Sequence, residues 1–375
     1  MSHSFDIGIL AFGIKTDIMN LPIPKPEILN LLKTGVVIPA SPLALDKKRK
    51  LDEKHQVALY RYYTAAGAGG IAVGVHTTQF EIRDPGINLF QPLLELASAT
   101  IDDLSKQHHR PLIKIAGVCG KTQQAVKEAE LAANLGYDIG LLSLSALKDA
   151  TDSELIDHCR QISRIIPIMG FYLQPAVGGR ILPYTFWRKF VELENAVAIK
   201  IAPFNRYQTL DVVRAVAFAG REKEVTLYTG NDDNIIIDLL TPYTFKTDTG
   251  IKTVRIKGGL LGQWAVWTKP AVDLLNEIHQ IVESKQAIPI ELLQKNIALT
   301  DANAVIFDAA NNFSGCIPGI NEILRRQGLL QYSHCLDTKL CLSPGQAEEL
   351  DRIALEYPWL NDDTFVKQHL AEWLS

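Results

Sequence analysis

The sequence predicts an α/β protein: a (β/α)8 TIM barrel of parallel strands with an additional C-terminal helical region. Short apolar runs alternate with longer amphipathic stretches along the chain, which is typical of folds with a parallel sheet. The runs recur every 25 to 40 residues or so, and no Gly-x-Gly-x-x-Gly motif follows the first one. Both observations favour a barrel over a doubly wound sheet.

Eight predicted strands and the helices between them follow one another in order. The strands are expected at residues 35–39, 71–75, 111–117, 138–144, 167–172, 197–202, 225–228 and 252–256. The helices are expected at residues 51–66, 88–107, 122–135, 152–165, 183–193 and 209–218, with another starting near residue 234. Gly67 and Gly136 stand where a glycine commonly ends a helix, and Thr122 is expected to cap the helix that begins there.

Three regions of the chain differ in their expected structure. Residues 1–30 form an N-terminal arm rich in proline, residues 31–270 form the barrel, and residues 271–375 form the C-terminal helical region. Within this last region, helices are expected at residues 343–357 and 362–374, where they could serve as an interface or as a lid.

The composition is that of an ordinary globular protein. Of the 375 residues, 47% are hydrophobic and 21% are charged, and the formal net charge is −4. This charge offers no electrostatic basis for binding nucleic acid or an anionic membrane. The first apolar stretch, residues 7–14, is too short to span a bilayer and lacks the basic start of a signal peptide, so a cytoplasmic protein is expected.

The cysteines predict neither a disulfide framework nor a zinc site. There are five of them, an odd number, and no two form a Cys-x-x-Cys pair. Reduced thiols are the simplest account, and no metal site is predicted.

Lys200 is the side chain most suggestive of chemistry. It lies inside the apolar run 197–202, and lysine is rarely buried without a reason. Because alternate residues of a barrel strand face inward, Lys200 is expected to face the interior together with Ala198 and Ala202. Desolvation would lower the pKa of its amine and make it a nucleophile. From these residues alone, an amine that reaches the barrel mouth or pairs with an acid is an equal alternative.

Other polar residues are expected at the carboxyl ends of strands, which is the catalytic face of such barrels. Tyr172 ends the fifth strand and could move protons, although a rim tyrosine is the alternative. The turn His76-Thr77-Thr78 after the second strand could offer amides and hydroxyls to a carboxylate, or could be a polar turn. Gly258-Gly259, predicted to follow the eighth strand, could hold a phosphate or could equally leave space for a ligand or a bend. The segment 230–233 is expected to be an Asx-type turn that caps a helix.

Together these motifs resemble the dihydrodipicolinate synthase / N-acetylneuraminate lyase superfamily of class I aldolases. The family marks its catalytic tyrosine as Tyr-x-x-Pro, which residues 172–175 match, and its Schiff-base lysine lies 28 residues downstream, at Lys200 here. Weaker matches are residues 39–43, which contain Ser41 and are similar to the family's Thr-Pro-Phe segment, the turn that begins at Gly230, and residues 315–328. The resemblance covers about residues 31–330 and implies a barrel of this type.

The chain also departs from the family pattern. The family's Gly-Thr-Thr-Gly-Glu turn aligns with residues 75–79, which places Thr77 at the second threonine and loses the Gly-Glu pair. The tyrosine that a neighbouring subunit supplies in the family has no counterpart within residues 142–147. The arginine that holds a second carboxylate in dihydrodipicolinate synthases is replaced by Val177, with Gly179-Arg180 as a shifted candidate for anchoring a polar substrate tail.

The resemblance implies a Schiff-base-forming lyase, aldolase or dehydratase that acts on a 2-oxo acid such as pyruvate. In this interpretation Lys200 is the nucleophile, Tyr172 the proton shuttle with Thr77 as relay, and the turn at residues 76–78 the carboxylate site. No metal or other cofactor is needed, because the iminium supplies the electrophile. The small-molecule substrate is the expected partner, and the family's habit implies a homodimer or homotetramer.

Two alternatives remain open at this point. The first is a phosphate-binding barrel enzyme that holds a sugar phosphate with Gly258-Gly259 and Arg255. The second is a barrel that binds a 2-oxo acid without catalysis, because some family residues are missing.

Overall fold

The computed structural model describes residues 21–375. The ten strands are β1 Val37–Pro39, β2 Gly70–Val73, β3 Ile113–Val118, β4 Ile139–Leu142, β5 Ile168–Leu173, β6 Ala196–Ala202, β7 Thr226–Thr229, β8 Tyr243–Thr247, β9 Gly250–Val254 and β10 Ile256–Leu261. The helices are α1 Pro26–Thr34, α2 Glu53–Ala66, α3 Phe90–Gln107, α4 Thr122–Asn134, α5 Asp152–Ser163, α6 Tyr184–Phe190, α7 Arg206–Ala219, α8 Ile235–Leu240, α9 Thr268–Ser284, α10 Ile290–Ile306, α11 Cys316–Arg326, α12 Gln346–Glu356 and α13 Asp363–Trp373.

Eight parallel strands form one sheet that closes into a barrel. Their order in the sheet is β1-β10-β7-β6-β5-β4-β3-β2. A bridge between Ala40 and Ala72 joins the two ends of this order, and the Ser41 N–H donates to the Ala72 carbonyl over 2.9 Å. The predicted (β/α)8 barrel with added C-terminal helices is therefore confirmed.

Alternation along the strands divides the apolar side chains into two cores. The inner core contains residues such as Ile113, Ile115 and Met169, and it fills the barrel. The larger outer core lies between the strands and the surrounding helices. Strand residues are buried on both faces, which explains why the barrel strands read as continuous apolar runs.

The eighth barrel strand differs from its prediction. Residues 250–254 belong to an antiparallel hairpin of β8 and β9, and the barrel strand is β10, which pairs with β7 and β1. The hairpin exposes about every second residue, with Ile251 76% exposed, so its apolar residues do not mark a barrel strand. The predicted strand 252–256 is therefore wrong by about one strand length.

Helix ends follow local chemistry in most places. The Asp52 carboxylate caps α2 by accepting from the His55 N–H, and Thr151 caps α5 in a reciprocal arrangement with Glu154. Thr122 is not the cap of α4, because it is the first helical residue and its hydroxyl instead lies 2.9 Å from Nδ1 of His158.

The region boundaries are set by packing. Ile28 and Leu32 of α1 lie in the inner core, so α1, which begins within the last third of the predicted N-terminal arm, closes the amino-terminal end of the barrel. Residues 1–20 of that arm lie outside the described residues. The predicted barrel end at residue 270 falls inside α9, which packs against α2, α8 and β1 as the eighth barrel helix.

Beyond α9 the chain is largely helical to residue 375, as predicted, and α10–α13 pack on the barrel through the outer core. Within residues 21–375, none of the helices combines the length and the apolar character needed to cross a membrane. All five cysteines lie in this range as free thiols.

Candidate active site

Lys200 lies inside the barrel near the carboxyl end of β6. Its side chain is 7% exposed, and Ala198 and Ala202 of the same strand belong to the inner core. The Lys200 Nζ lies 4.4 Å from the centre of the Phe171 ring. Burial lowers the pKa of this amine, while the nearby Asp232 carboxylate acts in the opposite direction. The site therefore holds an amine that can lose its proton more readily than an exposed lysine.

The absence of a side chain at Gly230 leaves room for the side chain of Lys200. A Cβ placed on Gly230, the residue after β7, would lie 2.8 Å from Cε of Lys200 and 2.8 Å from Cβ of Ala202. Gly230 therefore shapes the wall beside the amine, and the structure shows a spatial reason for the predicted site residue.

A narrow cleft with a volume of about 60 Å³, open to solvent on one side, lies above the lysine at the carboxyl ends of the strands. Its polar lining consists of the side chains of His76, Thr77, Gln174, Lys200, Asp232 and Cys316. Its apolar lining consists of the side chains of Val75, Phe171, Leu173, Val177, Ala202, Phe204, Phe307 and Phe313. Among residues 21–375, no three His, Cys, Asp or Glu side chains come together as the ligands of a metal ion would.

Asp232 supplies the carboxyl group of the cleft. Its side chain is 8% exposed, and Oδ1 is buried without a hydrogen-bond partner among the described residues. Burial raises the pKa of this carboxyl, and Lys200 opposes that effect. The predicted Asx-type cap is absent, since Asn234 precedes α8 without a side-chain cap bond. The Asn231 amide instead ties the loop together by accepting from the Phe204 N–H over 3.0 Å.

The turn after β2 contributes two of its three predicted residues to the cleft. His76 and Thr77 line it, and residues 76–78 form one short 3-10 turn. Burial, reinforced by Lys200, lowers the pKa of His76 to about 4, so its imidazole is neutral. Thr78 has a structural role, because its hydroxyl donates to the Ser41 carbonyl over 2.8 Å. The Ser41 side chain is fully buried and lies outside the cleft.

Tyr172 lies on the wrong face of its strand for the predicted shuttle role. In the parallel pairing of β5 with β6, Phe171 is opposite Lys200 and Tyr172 is opposite Ile201. The Tyr172 ring therefore belongs to the outer core, 5.4 Å from the ring of Trp187, and its hydroxyl accepts the Leu182 N–H over 3.2 Å. Phe171 occupies the place beside the amine.

Gly179 and Arg180 likewise do not reach the cleft. The Arg180 guanidinium donates to the backbone carbonyls of Leu147 and Ala150, so it fastens the loop after β4. A Cβ on Gly179 would lie 2.0 Å from the Leu173 carbonyl oxygen, so this glycine permits a tight turn. The structure therefore does not bring the predicted anchor for a polar substrate tail to the cleft.

The glycines of the predicted phosphate site lie inside a strand and not in the turn where they were expected. Gly258 and Gly259 are buried inside β10, and the Gly259 N–H donates to the Val36 carbonyl. The Arg255 guanidinium donates to the Leu240 carbonyl over 3.0 Å. The glycines allow close packing instead, since a Cβ on Gly258 would lie 2.6 Å from the Val36 N atom.

Sequence reasoning missed the aromatic part of the cleft. Phe204 follows the inward positions 198, 200 and 202 at the same interval of two, which is a signal that could have found it. Phe307, Phe313 and Cys316 come from the region between α10 and α11, far away in sequence. No local pattern indicates that this segment returns to the barrel mouth.

A second buried lysine shows what an ordinary structural lysine looks like in this barrel. Lys114 of β3 is 6% exposed, and its Nζ lies 2.7 Å from the Asp102 carboxylate and 3.1 Å from the Ser98 hydroxyl. Lys200 forms no such ion pair or hydrogen bond among the described residues and faces the cleft. The two lysines thus provide a test residue and its matched control.

Comparison with known proteins gives a partial sequence match. No family model matches the chain. A curated 4-hydroxy-tetrahydrodipicolinate synthase from Cyanothece sp. (strain PCC 7425 / ATCC 29141) is 28% identical over 174 residues, which are 44% of this chain and 55% of the relative. The match thus spans about half the length of that curated relative.

Solved structures share the fold along most of the chain. YagE from E. coli K12, a prophage protein of the dihydrodipicolinic acid synthase family solved in complex with pyruvate, has a TM-score of 0.67 at 17% identity, covering 86% of this chain and 98% of its own. N-acetylneuraminate lyase from Fusobacterium nucleatum has a TM-score of 0.66 at 16% identity, covering 87% and 99%. These similarities show the same barrel.

Proposed function

We propose that the chain is a divergent member of the dihydrodipicolinate synthase / N-acetylneuraminate lyase superfamily and that it is a Schiff-base-forming lyase or aldolase acting on a 2-oxo acid. The observation that carries the proposal is the buried Lys200 amine, free of an ion-pair partner among the described residues and facing the cleft beside Asp232. Both the resemblance and the geometry favour this lysine as the nucleophile.

The amine chemistry requires two proton transfers before the carbon chemistry begins. The neutral Lys200 amine attacks the ketone carbon of the 2-oxo acid, and the adduct becomes a carbinolamine once the nitrogen proton has moved to the oxygen. The carbinolamine hydroxyl then takes a proton and leaves as water, and the nitrogen lone pair forms the iminium. The iminium accepts the electrons of a neighbouring C–C bond, so a 4-hydroxy-2-oxo acid can split into an aldehyde and a lysine-bound enamine.

In this proposal Asp232 takes the proton-transfer role that the resemblance gave to Tyr172. Burial raises the pKa of its carboxyl, so it can hold the proton that the departing hydroxyl requires. Once ionised, it faces the positive iminium and can accept the proton of the substrate's 4-hydroxyl. Its unpartnered Oδ1 leaves an acceptor free for these steps.

The turn at residues 76–78 is the proposed site for the substrate carboxylate. The first amides of a helical turn have no partner within the turn, and Thr77 places a hydroxyl on the cleft wall beside them. The imidazole of His76 is neutral, so it can contribute a hydrogen bond there but no charge.

Borohydride trapping tests the proposal. Reduction in the presence of pyruvate should fix a mass adduct on Lys200, located by peptide mass spectrometry. Lys200→Arg should abolish the adduct, because a guanidinium cannot serve as the amine, whereas Lys114→Arg should retain it. No adduct on Lys200 with pyruvate or with a panel of longer 2-oxo acids would refute the proposal. An adduct without turnover of any 4-hydroxy-2-oxo acid would favour the non-catalytic alternative.

Asp232→Asn tests the proton-transfer step separately. Removal of the carboxylate lowers the pKa of Lys200 further and so increases the fraction of neutral amine. A slower adduct formation, by about 100-fold, would then be attributable to the lost proton donor. Asp233→Asn is the matched control, because Asp233 is the adjacent carboxyl and does not line the cleft. An unchanged rate in Asp232→Asn would remove Asp232 from the mechanism.

A further inference from the structure

Two phenylalanines form an aromatic pair at the mouth of the cleft above Lys200. The rings of Phe204 and Phe313 meet edge to face, with 5.9 Å between their centres. Both residues adopt the left-handed backbone region, with φ of 52° and 65°. Bulky residues rarely adopt this conformation, and such strain persists only where the surrounding structure enforces it.

The strained backbone around Phe313 is fastened by side chains from two parts of the chain. The Asp308 carboxylate accepts from the Gly315 N–H over 2.9 Å and from the Ser343 hydroxyl. The buried Gln346 amide donates to the carbonyls of Val305 and Gly315, at 3.0 and 3.2 Å. Residues beyond the barrel therefore hold in place the loop of residues 307–315, here called the aromatic loop, which contributes Phe307 and Phe313 to the cleft.

The cleft offers little for a charged or polyhydroxyl substrate tail. Among the described residues that line it there is no arginine, the imidazole of His76 is neutral, and both Lys200 and Asp232 belong to the proposed chemistry. Val177 stands where the resemblance would place an arginine, and Gln174 is partly occupied, since its Oε1 accepts the Ala176 N–H. A second carboxylate would face Asp232 and phenyl rings without a cationic partner, which is unfavourable.

We propose that this site selects 2-oxo acids with an aromatic or bulky apolar tail, which packs between the Phe204–Phe313 pair and the wall formed by Val177 and Phe171. The inference rests on the proposed function for its head group, since the 2-oxo acid end lies at Lys200. Such a tail binds more tightly because its apolar surface is removed from water and because an aromatic tail can make edge-to-face contact with the Phe204 and Phe313 rings.

The experiment compares matched ligands by isothermal calorimetry and by borohydride trapping. 2-Oxohexanoate and 2-oxoadipate share one carbon chain and differ by a terminal carboxylate, and 2-oxo-4-phenylbutanoate adds the aromatic tail. The dissociation constant should be about tenfold lower for the phenyl acid than for 2-oxoadipate, with 2-oxohexanoate between them. Equal affinities, or a preference for 2-oxoadipate, would overturn the inference.

Three variants test which residues produce the preference for an apolar substrate tail. Val177→Arg should reverse the order, tightening 2-oxoadipate by about tenfold, because the arginine supplies the missing cation. Phe313→Ser should weaken the phenyl acid by about tenfold, whereas Phe218→Ala, in an aromatic pair with Phe245 outside the cleft, should leave all three affinities unchanged. A phenyl preference that survives Phe313→Ser would contradict the assignment of the pair.

The two proposals fail in distinguishable ways. Selective binding of the phenyl acid without any Lys200 adduct would support the apolar cleft and refute the Schiff-base function. An adduct that forms equally well with every acid would support the Schiff-base function and refute the selectivity.

Discussion

Replacing Tyr172 by phenylalanine tests two roles for this residue: the proton shuttle that the family resemblance implies, and the structural role that its outer-core contacts indicate. The hydroxyl is buried in the outer core, where it accepts the N–H of Leu182, itself 2% exposed. The substitution keeps the ring against Trp187 and leaves one buried N–H without a partner. Such a loss costs about 1–3 kcal/mol of unfolding free energy. The rate of adduct formation should stay within about threefold of the original, whereas loss of a general acid–base group costs about 10²- to 10⁴-fold.

The assay measures two quantities on the same samples. The initial rate of borohydride-trapped adduct with pyruvate reports the chemistry, and the midpoint of urea unfolding reports stability. Tyr63→Phe is the matched control, because the Tyr63 ring also belongs to the outer core and its hydroxyl donates to the Ala265 carbonyl over 3.1 Å. A rate loss of about 100-fold in Tyr172→Phe, with folding intact, would refute the assignment of Tyr172 to the outer face.

Three further predictions concern the amine, its wall and the aromatic loop. The rate of adduct formation should rise with pH below the ordinary lysine pKa, because burial lowers the pKa of Lys200 and the neutral amine reacts, and it should fall again at higher pH as Asp232 loses the proton that the departing hydroxyl needs; a pH–rate series that rises only through an ordinary lysine midpoint, without a fall, would contradict this. Gly230→Ala should slow trapping by about tenfold or more, since its Cβ would meet the Lys200 chain, whereas Gly220→Ala, with open space around it, should cost only stability. Gln346→Leu should lower the unfolding free energy by about 1–3 kcal/mol and speed hydrogen exchange in the loop after α10; unchanged exchange would show that the loop is held otherwise.

The barrel could be predicted from the sequence because its strands are buried on both faces. Seven of the eight strand predictions coincide largely with the corresponding barrel strands, whereas the eighth covers part of β9 and reaches β10 only at Ile256. The eighth failed because a half-exposed hairpin with apolar residues such as Ile251 precedes the true strand, and its pattern resembles a strand with one buried face. Apolar runs report burial, and they do not report which sheet a strand joins.

The position of Lys200 could be predicted because strand alternation is regular between residues 198 and 202. The orientation of Tyr172 could not, because the β5–β6 register shifts between Ile168 and Met169, and such a shift leaves no mark in the spacing of motifs. The contribution of Phe313 depends on a positive φ and on contacts with Ser343 and Gln346, which no local pattern encodes.

Because Ser343 and Gln346 hold the aromatic loop, two different parts of the chain build the cleft. The barrel strands supply Lys200, whereas the position of Phe313 depends on residues of the C-terminal helical region. If the C-terminal helices unfolded locally, Lys200 could still react with a small 2-oxo acid. Water would then enter the cleft, and the protein would distinguish poorly between substrates with different tails. Mild heat or denaturant should therefore broaden substrate choice before it ends reactivity.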